Sequence, residues 1–248
     1  MLLHSGVGDR TLWDGQRDAF AARHLVVRYD LRGHGDSPLP GGPFSNVDDL
    51  HALLDHLGLE RAAVVGNSFG GRIALDFALE HPERTAALVL VASALGGHEG
   101  SPELDELDEA EDELLEAGKL DEAVELSLRT WLDGPKREAA PVSPETRELV
   151  AAAQRRAYAT IVAAYESSPE PGPVRWAEPP AATRLAEIAA PTLVVAGALD
   201  LDDFLTIADR LAAEIPGARK AVLDTAHLPG VERPEELNRL VLDFLGGI

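Results

Sequence analysis

The chain of 248 residues is strongly acidic, with 22 basic against 43 acidic side chains and a formal net charge of −21 at pH 7. This charge argues against nucleic acid or an anionic membrane as a partner, because both need a positive protein surface. The absence of cysteine excludes disulfides, thiolate metal sites and a cysteine nucleophile. Hydrophobic residues make up 45% of the chain, and no run approaches the roughly 18 apolar residues of a membrane span. We therefore expect a globular cytoplasmic protein.

Six apolar segments, separated by helical patterns, predict an α/β fold with a doubly wound, mostly parallel sheet. The predicted strands cover residues 1–4, 25–29, 62–65, 87–92, 192–196 and 219–223. Apolar residues recur at helical spacing between them, for example over 47–57 and 204–215. In such a sheet ligands bind beyond the carboxyl ends of the strands, so polar residues just after strands are candidates for a site.

A strand, a tight turn and a helix are predicted to meet at Ser68. The stretch 66–70 reads Gly-Asn-Ser-Phe-Gly and lies between an apolar strand and ten residues with helical periodicity. Turning from strand to helix at one residue strains that residue, and flanking glycines leave room for the turn. The hydroxyl then stands clear of the sheet at a helix N-terminus, which favours negative charge. The pattern predicts a nucleophilic serine, with an incidental serine in a glycine-rich connection as the alternative.

Two further polar residues follow later strands. Asp200 comes after the fifth predicted strand, and His227 follows the sixth. A serine hydroxyl is a poor nucleophile near neutral pH, so a histidine must accept its proton and a carboxylate must orient that histidine. The order Ser68, Asp200, His227 is the one expected of hydrolases with this type of sheet. Asp202 and Asp203 are alternatives for the acid.

The loop after the second predicted strand holds one more histidine, His34, between two glycines. Its position makes it an alternative base. A hydrogen-bonding turn residue is the favoured interpretation, because rigid polar loops of this kind usually satisfy their own backbone groups.

The alternation of strands and helices stops between residues 96 and 190. Helical patterns separated by proline and glycine fill this segment, including a long helix predicted over 145–166. We predict a core formed by 1–95 and 191–248, with 96–190 as a helical lid over the ligand end of the sheet. The candidates for the buried side of the long helix are Leu149, Ala152, Tyr158, Ile161 and Tyr165. The candidates for lining the substrate are Trp131, Tyr158 and Tyr165.

Residues 99–125 carry thirteen carboxylates and a single basic residue, Lys119. A carboxylate cluster can bind a cation, but this stretch has no clustered histidines and no calcium-loop pattern. A solvated helix face is the favoured interpretation. No metal and no cofactor is expected.

The chain resembles the α/β-hydrolase superfamily over nearly its whole length outside the predicted lid. The motifs that carry the resemblance are His4-Ser5-Gly6 with Trp13, the loop 29–37, the stretch 66–71, His81-Pro82-Glu83-Arg84, Gly197 to Asp200, and His227 with Glu232-Arg233-Pro234-Glu235. Within the superfamily it is similar to small esterases, enol-lactonases and related cofactor-free hydrolases. The resemblance implies an oxyanion hole formed by the backbone N–H groups of Phe69 and Gly6.

The chain also departs from parts of this superfamily. Ser68 stands where haloalkane dehalogenases and epoxide hydrolases have aspartate. An asparagine directly before the serine, here Asn67, resembles carbon–carbon bond hydrolases that act on ring-cleavage products. Those enzymes often have a tryptophan after their catalytic histidine, and Leu228 stands there in this chain. Family members usually have two strands before the one that begins here at Met1. Either the chain is a shortened version or its start is assigned too late. Without those strands, the segment 25–29 is expected to form an apolar sheet edge, with reduced stability or self-association into a homo-oligomer as the result.

These observations predict hydrolysis of a small carboxylic ester or lactone, with a small molecule as the binding partner and an acyl-enzyme formed on Ser68. A carbon–carbon bond hydrolase using the same three residues is one alternative. A ligand receptor or scaffold that keeps the fold but turns over slowly is the other.

Overall fold

The computed structural model describes residues 1–137, 142–165 and 174–248, together with the backbone of 166 and 167. Five parallel strands form one sheet in the order in which they occur in the sequence. They are β1 (Leu2–Leu3), β2 (Ala62–Asn67), β3 (Thr85–Val91), β4 (Thr192–Gly197) and β5 (Arg219–Leu223). The predicted doubly wound parallel sheet is confirmed, with five strands where about six were expected.

Nine α-helices are found in the described part of the chain. They are α1 (Asp14–Ala21), α2 (Asn46–His56), α3 (Phe69–Glu80), α4 (Pro102–Glu116), α5 (Leu120–Ser127), α6 (Pro144–Ser167), α7 (Asp202–Glu214), α8 (Pro229–Glu232) and α9 (Pro234–Leu245). Serine side chains cap α2 and α4 at their first turns, where Ser45 and Ser101 accept backbone N–H groups. The helices predicted over 47–57, 145–166 and 204–215 correspond to α2, α6 and α7.

The segment 25–29, predicted as a strand, does not form one. Its contacts with the sheet include one bridge between Arg28 and Leu2 and a hydrogen bond from the Leu2 N–H to the Val27 carbonyl (2.8 Å). The neighbouring strand β1 is only two residues long, so it presents too few backbone groups to extend a ladder. The segment begins with Leu25, whose surface is 73% exposed.

Alternate residues of the strands pack into two separate layers. On β3, Leu88 and Leu90 face a core shared with α2, α3 and α7, while Val89 and Val91 face a second core shared with α1 and α9. Burial on both faces explains why the strands read as continuous apolar runs. The two layers hold the sheet rigidly, so the loops at its carboxyl edge have a fixed base.

Helices α4 to α6 lie between β3 and β4 and, with the connecting residues, form what we call the helical insertion (residues 96–190). A small hydrophobic cluster joins α5 and α6 to Val7, Leu12 and Leu228 of the loops at the sheet edge. The last part of the segment behaves differently, since Ala181, Leu185 and neighbouring residues pack into the main core. The insertion is thus attached to the loops that follow β1 and β5.

The buried side of α6 differs from the sequence expectation. Leu149 is 70% exposed and Tyr165 is 60% exposed, whereas Tyr158 is buried as predicted. The residues that cover the buried side are mostly small: Val150, Ala151, Ala153, Gln154, Ala157 and Tyr158. Alanines contribute little to a hydrophobic pattern, so the larger apolar side chains dominated the prediction.

Candidate active site

Ser68 occupies the single residue between β2 and α3, with φ = 52° and ψ = −113°. A positive φ strains a residue that carries a β-carbon, and such strain persists only where the surroundings hold the backbone in place. Three hydrogen bonds do so here. The Ser68 N–H donates to the Val91 carbonyl (2.9 Å), and the Ser68 carbonyl accepts from the N–H groups of Arg72 (3.0 Å) and Ala94 (3.1 Å).

Close packing of backbone explains why glycines surround this turn. A β-carbon on Gly70 would lie 2.5 Å from the His4 carbonyl oxygen, and one on Gly71 would overlap the side chain of Ser93. Only glycine therefore lets α3 begin so near to β1 and to the end of β3.

Asp200 and His227 form a buried hydrogen-bonded pair at the ends of two neighbouring strands. His227 Nδ1 lies 2.8 Å from Asp200 Oδ2, and the two side chains are 2% and 1% exposed. The second carboxylate oxygen, Oδ1, accepts the N–H of Leu201 (2.8 Å). With Nδ1 donating to the carboxylate, the tautomer of His227 is fixed and Nε2 is left as the basic nitrogen.

The two alternative acids serve other contacts. Asp202 is exposed and pairs with Lys136 (2.7 Å). Asp203 accepts the N–H (2.8 Å) and the hydroxyl (2.6 Å) of Ser101 at the start of α4. Although burial acts to raise it, these bonds and the nearby His98 hold the pKa of Asp203 below its usual value. Of the three aspartates, Asp200 is the one paired with His227.

The side chain of Asn67 joins the loop of His227 to the strand that leads into Ser68. Its Nδ2 donates to the His227 carbonyl (3.2 Å) and to the Val91 carbonyl (3.0 Å). Asn67 is the residue directly before Ser68, so the imidazole-bearing residue is tied to the neighbour of the serine. The sequence did not predict this contact, because Asn67 was singled out only as a point of resemblance to other hydrolases.

Aromatic rings pack on the imidazole of His227. The Phe204 ring lies 4.2 Å from it and the Trp131 ring 4.7 Å, measured between centroids, and the two aromatic rings meet edge to face at 5.7 Å. Phe204 belongs to α7, while Trp131 reaches the site from the helical insertion. Trp131 therefore contacts the candidate site, while its predicted role in lining the substrate stays a prediction. Phe204 was not among the candidates.

The other two aromatic candidates lie elsewhere in the insertion. Tyr158 is buried in the hydrophobic cluster of α5 and α6. Burial and the neighbouring carboxylate of Glu111 raise the pKa of Tyr158. Tyr165 borders a groove whose lining residues all belong to the insertion, among them Leu115 and Ile161. Trp176, which was not among the candidates, packs edge to face on Phe69 with ring centroids 5.6 Å apart.

Gly6 and Phe69, whose N–H groups the family resemblance implies as an oxyanion hole, lie close together. A β-carbon on Gly6 would be 3.8 Å from the β-carbon of Phe69. Phe69 is the first residue of α3, so its N–H has no acceptor within the helix. The Phe69 N–H directly follows Ser68 in the chain, and the joint role of the two N–H groups as an oxyanion hole stays a prediction.

The loop that carries Gly6 is held by two histidines. His4 Nδ1 donates to the Ser5 carbonyl (2.7 Å), and its Nε2 accepts the N–H of Leu31 (2.9 Å). His34 Nδ1 donates to the Gly8 carbonyl (3.0 Å). Burial lowers the pKa of both histidines, and that of His4 falls to about 3. His34 therefore acts as the hydrogen-bonding turn residue that its sequence context favoured.

The helical insertion also contacts the loop that carries Gly6. Gln154 of α6 accepts the N–H of Gly8 through Oε1 (2.8 Å), and Arg156 pairs with Asp9 (2.5 Å). Gly8 has φ = 95°, which favours glycine at this close approach. No local pattern predicts these contacts, because 146 residues separate Gly8 from Gln154.

The described residues contain no group of three or more histidine, aspartate or glutamate side chains arranged to hold a metal ion. The same part of the chain has no helix that is both long and apolar enough to cross a membrane. The acidic helix α4 contains no buried residue, in agreement with a solvated face.

A parallel sheet with a serine at the strand-to-helix turn and a buried aspartate–histidine pair at the ends of later strands defines the α/β-hydrolase fold. Comparison with known families agrees, since residues 1–234 match the model described as the alpha/beta hydrolase fold. The chain belongs to this family.

Individual relatives are similar along most of their length. A 2-hydroxy-6-oxononadienedioate/2-hydroxy-6-oxononatrienedioate hydrolase from Paraburkholderia phymatum is 34% identical, over 92% of this chain and 79% of the relative. Among solved structures, a hydrolase from Pseudomonas aeruginosa has a TM-score of 0.77 at 32% identity, covering 99% of this chain and 88% of the other. The enol-lactonase from Burkholderia xenovorans has a TM-score of 0.78 at 26% identity, covering 99% and 90%.

Proposed function

We propose that the protein hydrolyses a small carboxylic ester or lactone, with Ser68 as nucleophile, His227 as base and Asp200 as the residue that orients the base. The observation that carries the proposal is the buried hydrogen bond between His227 and Asp200, in a loop whose His227 carbonyl is bound by Asn67, the residue directly before Ser68. Burial of an ionisable pair is unfavourable unless the pair is well hydrogen bonded, and active sites are where such arrangements are concentrated.

In the proposed reaction, Ser68 Oγ attacks the substrate carbonyl while His227 Nε2 accepts the hydroxyl proton. The N–H groups of Phe69 and Gly6 stabilise the resulting oxyanion. When the intermediate collapses, the bond to the leaving oxygen breaks and the proton passes from His227 to the alcohol. Water then attacks the acyl-enzyme, His227 takes its proton and returns it to Ser68, and the carboxylic acid leaves.

The helical insertion serves as the lid in this proposal, over a core formed by 1–95 and 191–248. The contact between Trp131 and the imidazole of His227 supports this role, because it brings the insertion to within 4.7 Å of the base. Covering the site excludes water from it and strengthens the electrostatic contacts inside. Specificity then depends on side chains such as Trp131 and Trp176.

The relatives favour two substrate classes. Similarity to an enol-lactonase favours the ester and lactone reaction, which needs only the residues already named. Similarity to a 2-hydroxy-6-oxononadienedioate hydrolase favours a second candidate, hydrolysis of a carbon–carbon bond on the same three residues. One feature stands against this second candidate. Carbon–carbon bond hydrolases often have tryptophan at the position of Leu228, but Leu228 is fully buried in the hydrophobic cluster with α5 and α6, where an indole ring would need more room.

Covalent labelling tests the proposal directly. A fluorophosphonate should label the wild-type protein, and the protein should hydrolyse a short-chain nitrophenyl ester. Ser68→Ala should abolish labelling and reduce turnover by roughly three orders of magnitude or more. Ser37→Ala is the matched control, since Ser37 lies in the loop after the segment 25–29. Ester turnover that survives in Ser68→Ala would refute the assignment.

Two further outcomes separate the alternatives. Labelling of Ser68 without turnover of any ester or lactone would support a receptor with the hydrolase fold. Turnover of a vinylogous 1,5-diketone at a rate well above that of the nitrophenyl ester would support the carbon–carbon hydrolase.

A further inference from the structure

Glu232 lies at the end of α8 with its carboxylate buried beneath the loop of His227. Its Oε1 accepts the N–H of Ala226 (2.8 Å), the residue directly before His227. Its Oε2 accepts a hydrogen bond from Nη2 of Arg137 (2.6 Å), which belongs to the helical insertion. The Glu232 side chain is 1% exposed and that of Arg137 is 18% exposed. One carboxylate thus connects the insertion to the backbone that carries the imidazole.

The loop around Ala226 is tightly packed. A β-carbon on Gly134 of the insertion would lie 2.6 Å from the β-carbon of Ala226, and one on Gly197 at the end of β4 would overlap the Ala226 carbonyl. Ala226 and Leu228, on either side of His227, are both fully buried. Because interiors are close-packed, a shift at Ala226 moves the adjacent imidazole.

We propose that Glu232 and Arg137 are positioning residues for His227: the ion pair to the insertion holds the carboxylate that fixes the backbone of the base. The inference rests on the proposed function and adds residues to it. Neither side chain is proposed to touch the substrate. Their effect passes through the Ala226 N–H, while Asp200 holds the imidazole of His227 and Asn67 holds its carbonyl.

Charge at Glu232 gives this arrangement a pH signature. Burial raises the pKa of Glu232, and the guanidinium of Arg137 opposes that effect. The Ala226 N–H and Arg233, the residue after α8, also act to lower the pKa. Removing Arg137 leaves a buried carboxylate that takes up a proton more readily, and a neutral carboxyl binds the Ala226 N–H less strongly. Loss of activity should therefore begin at higher pH.

The test compares Arg137→Ala, Arg137→Lys and Arg155→Ala with the wild type, using a nitrophenyl ester and the fluorophosphonate. Arg155 is the matched control, since it also lies in the insertion but pairs with Asp121 at the surface. We expect Arg137→Ala to reduce kcat by about tenfold to 100-fold, because a displacement of about 1 Å can have that effect. KM should change less than about twofold, since uniform binding is untouched.

Two readouts distinguish positioning from a loss of folding. The acid limb of the kcat/KM profile should move to higher pH in Arg137→Ala, and Arg137→Lys should restore most of both the rate and the profile. Arg155→Ala should resemble the wild type. Glu232→Ala gives a second measurement, and its kcat should fall at least as far as that of Arg137→Ala while the folded baseline by circular dichroism is retained.

The inference would be overturned if Arg137→Ala labelled and turned over like the wild type, or if its rate fell with no shift of the acid limb and no rescue by lysine. Failure of the proposed function has a different signature. In that case the wild-type protein itself would neither label at Ser68 nor hydrolyse the ester.

Discussion

A β-carbon on Gly66 would overlap the carbonyl group of Gly70, so the end of β2 and the first turn of α3 touch through their backbones on either side of Ser68. The strand-to-helix turn at Ser68 therefore depends on a close contact between backbone atoms. Substitutions of Gly66 or Gly70 should therefore lower the stability of the fold, and any loss of activity should follow from that.

The first prediction concerns that contact. Gly66→Ala should lower the free energy of unfolding by roughly 3 kcal/mol or prevent folding, because overpacking against backbone has no side chain that can move aside. Gly42→Ala is the control, since a β-carbon there meets nothing within 4 Å, and it should stay within about 0.5 kcal/mol of the wild type. Urea unfolding of both variants provides the measurement, and equal midpoints would contradict the overlap.

The second prediction concerns strain at Ser68. Glycine tolerates φ = 52°, so Ser68→Gly should be inactive but more stable than Ser68→Ala, which keeps the β-carbon. Relief of strain is worth about 1–3 kcal/mol, and the added freedom of glycine in the unfolded chain takes back up to about 1 kcal/mol. The net gain should raise Tm by several degrees. A Tm for Ser68→Gly at or below that of Ser68→Ala would show that the turn is unstrained.

The third prediction separates three neighbouring aspartates. Asp200→Asn should reduce kcat by roughly 10⁴-fold, because an amide at this position favours the wrong tautomer of His227. Asp202→Asn should leave kcat unchanged, since it removes only an exposed pair with Lys136. Asp203→Asn should lower Tm through its contacts with Ser101 and leave kcat of the folded protein within about twofold of the wild type.

Initial rates on one nitrophenyl ester, measured beside the thermal unfolding curve of each variant, provide the comparison. A large loss of kcat in Asp202→Asn or Asp203→Asn, with Asp200→Asn active, would transfer the orienting role to another residue.

The fourth prediction concerns acid stability. Burial and the nearby His34 lower the pKa of His4 from 6.5 to about 3. Between these values the unfolded chain binds a proton at His4 that the folded chain does not, so the free energy of unfolding decreases as the pH falls through this window. His4→Gln keeps a donor and an acceptor without this titration. Its stability should decrease less steeply between about pH 6 and pH 4 than that of the wild type.

The difference in slope should approach about 1.4 kcal/mol per pH unit, the value for one proton. Urea midpoints at several pH values provide the slopes even if the variant is less stable throughout. Parallel slopes for the two proteins would mean that His4 takes up its proton in the folded state.

The sequence was most informative where the constraint is local. The turn at Ser68 could be predicted because glycines at fixed offsets from a serine, between a strand and a helix, are what a sharp strand-to-helix turn requires. Strand ends followed by Asp200 and His227 were equally visible, since both residues come shortly after apolar runs. The topology of a parallel sheet then places the ends of β2, β4 and β5 at one edge without further information.

The features that could not be predicted depend on distant partners. Whether the segment 25–29 forms a strand depends on the length of β1, which an apolar pattern in 25–29 does not contain. The buried side of α6 is made mostly of alanines, whose hydrophobic signal is weak. The ion pair between Arg137 and Glu232 joins residues 95 positions apart, and nothing in either local sequence identifies the other member.

The helical insertion grips both loops of the candidate site, through Gln154 at Gly8 and through Arg137 at Glu232. The helical insertion and the loops of the candidate site therefore cannot be exchanged independently of each other. A chimera that receives the corresponding helices of a relative would change both the residues over the site and the contacts that hold its loops. Such a chimera should have low activity until the contacts at Gly8 and Glu232 are restored.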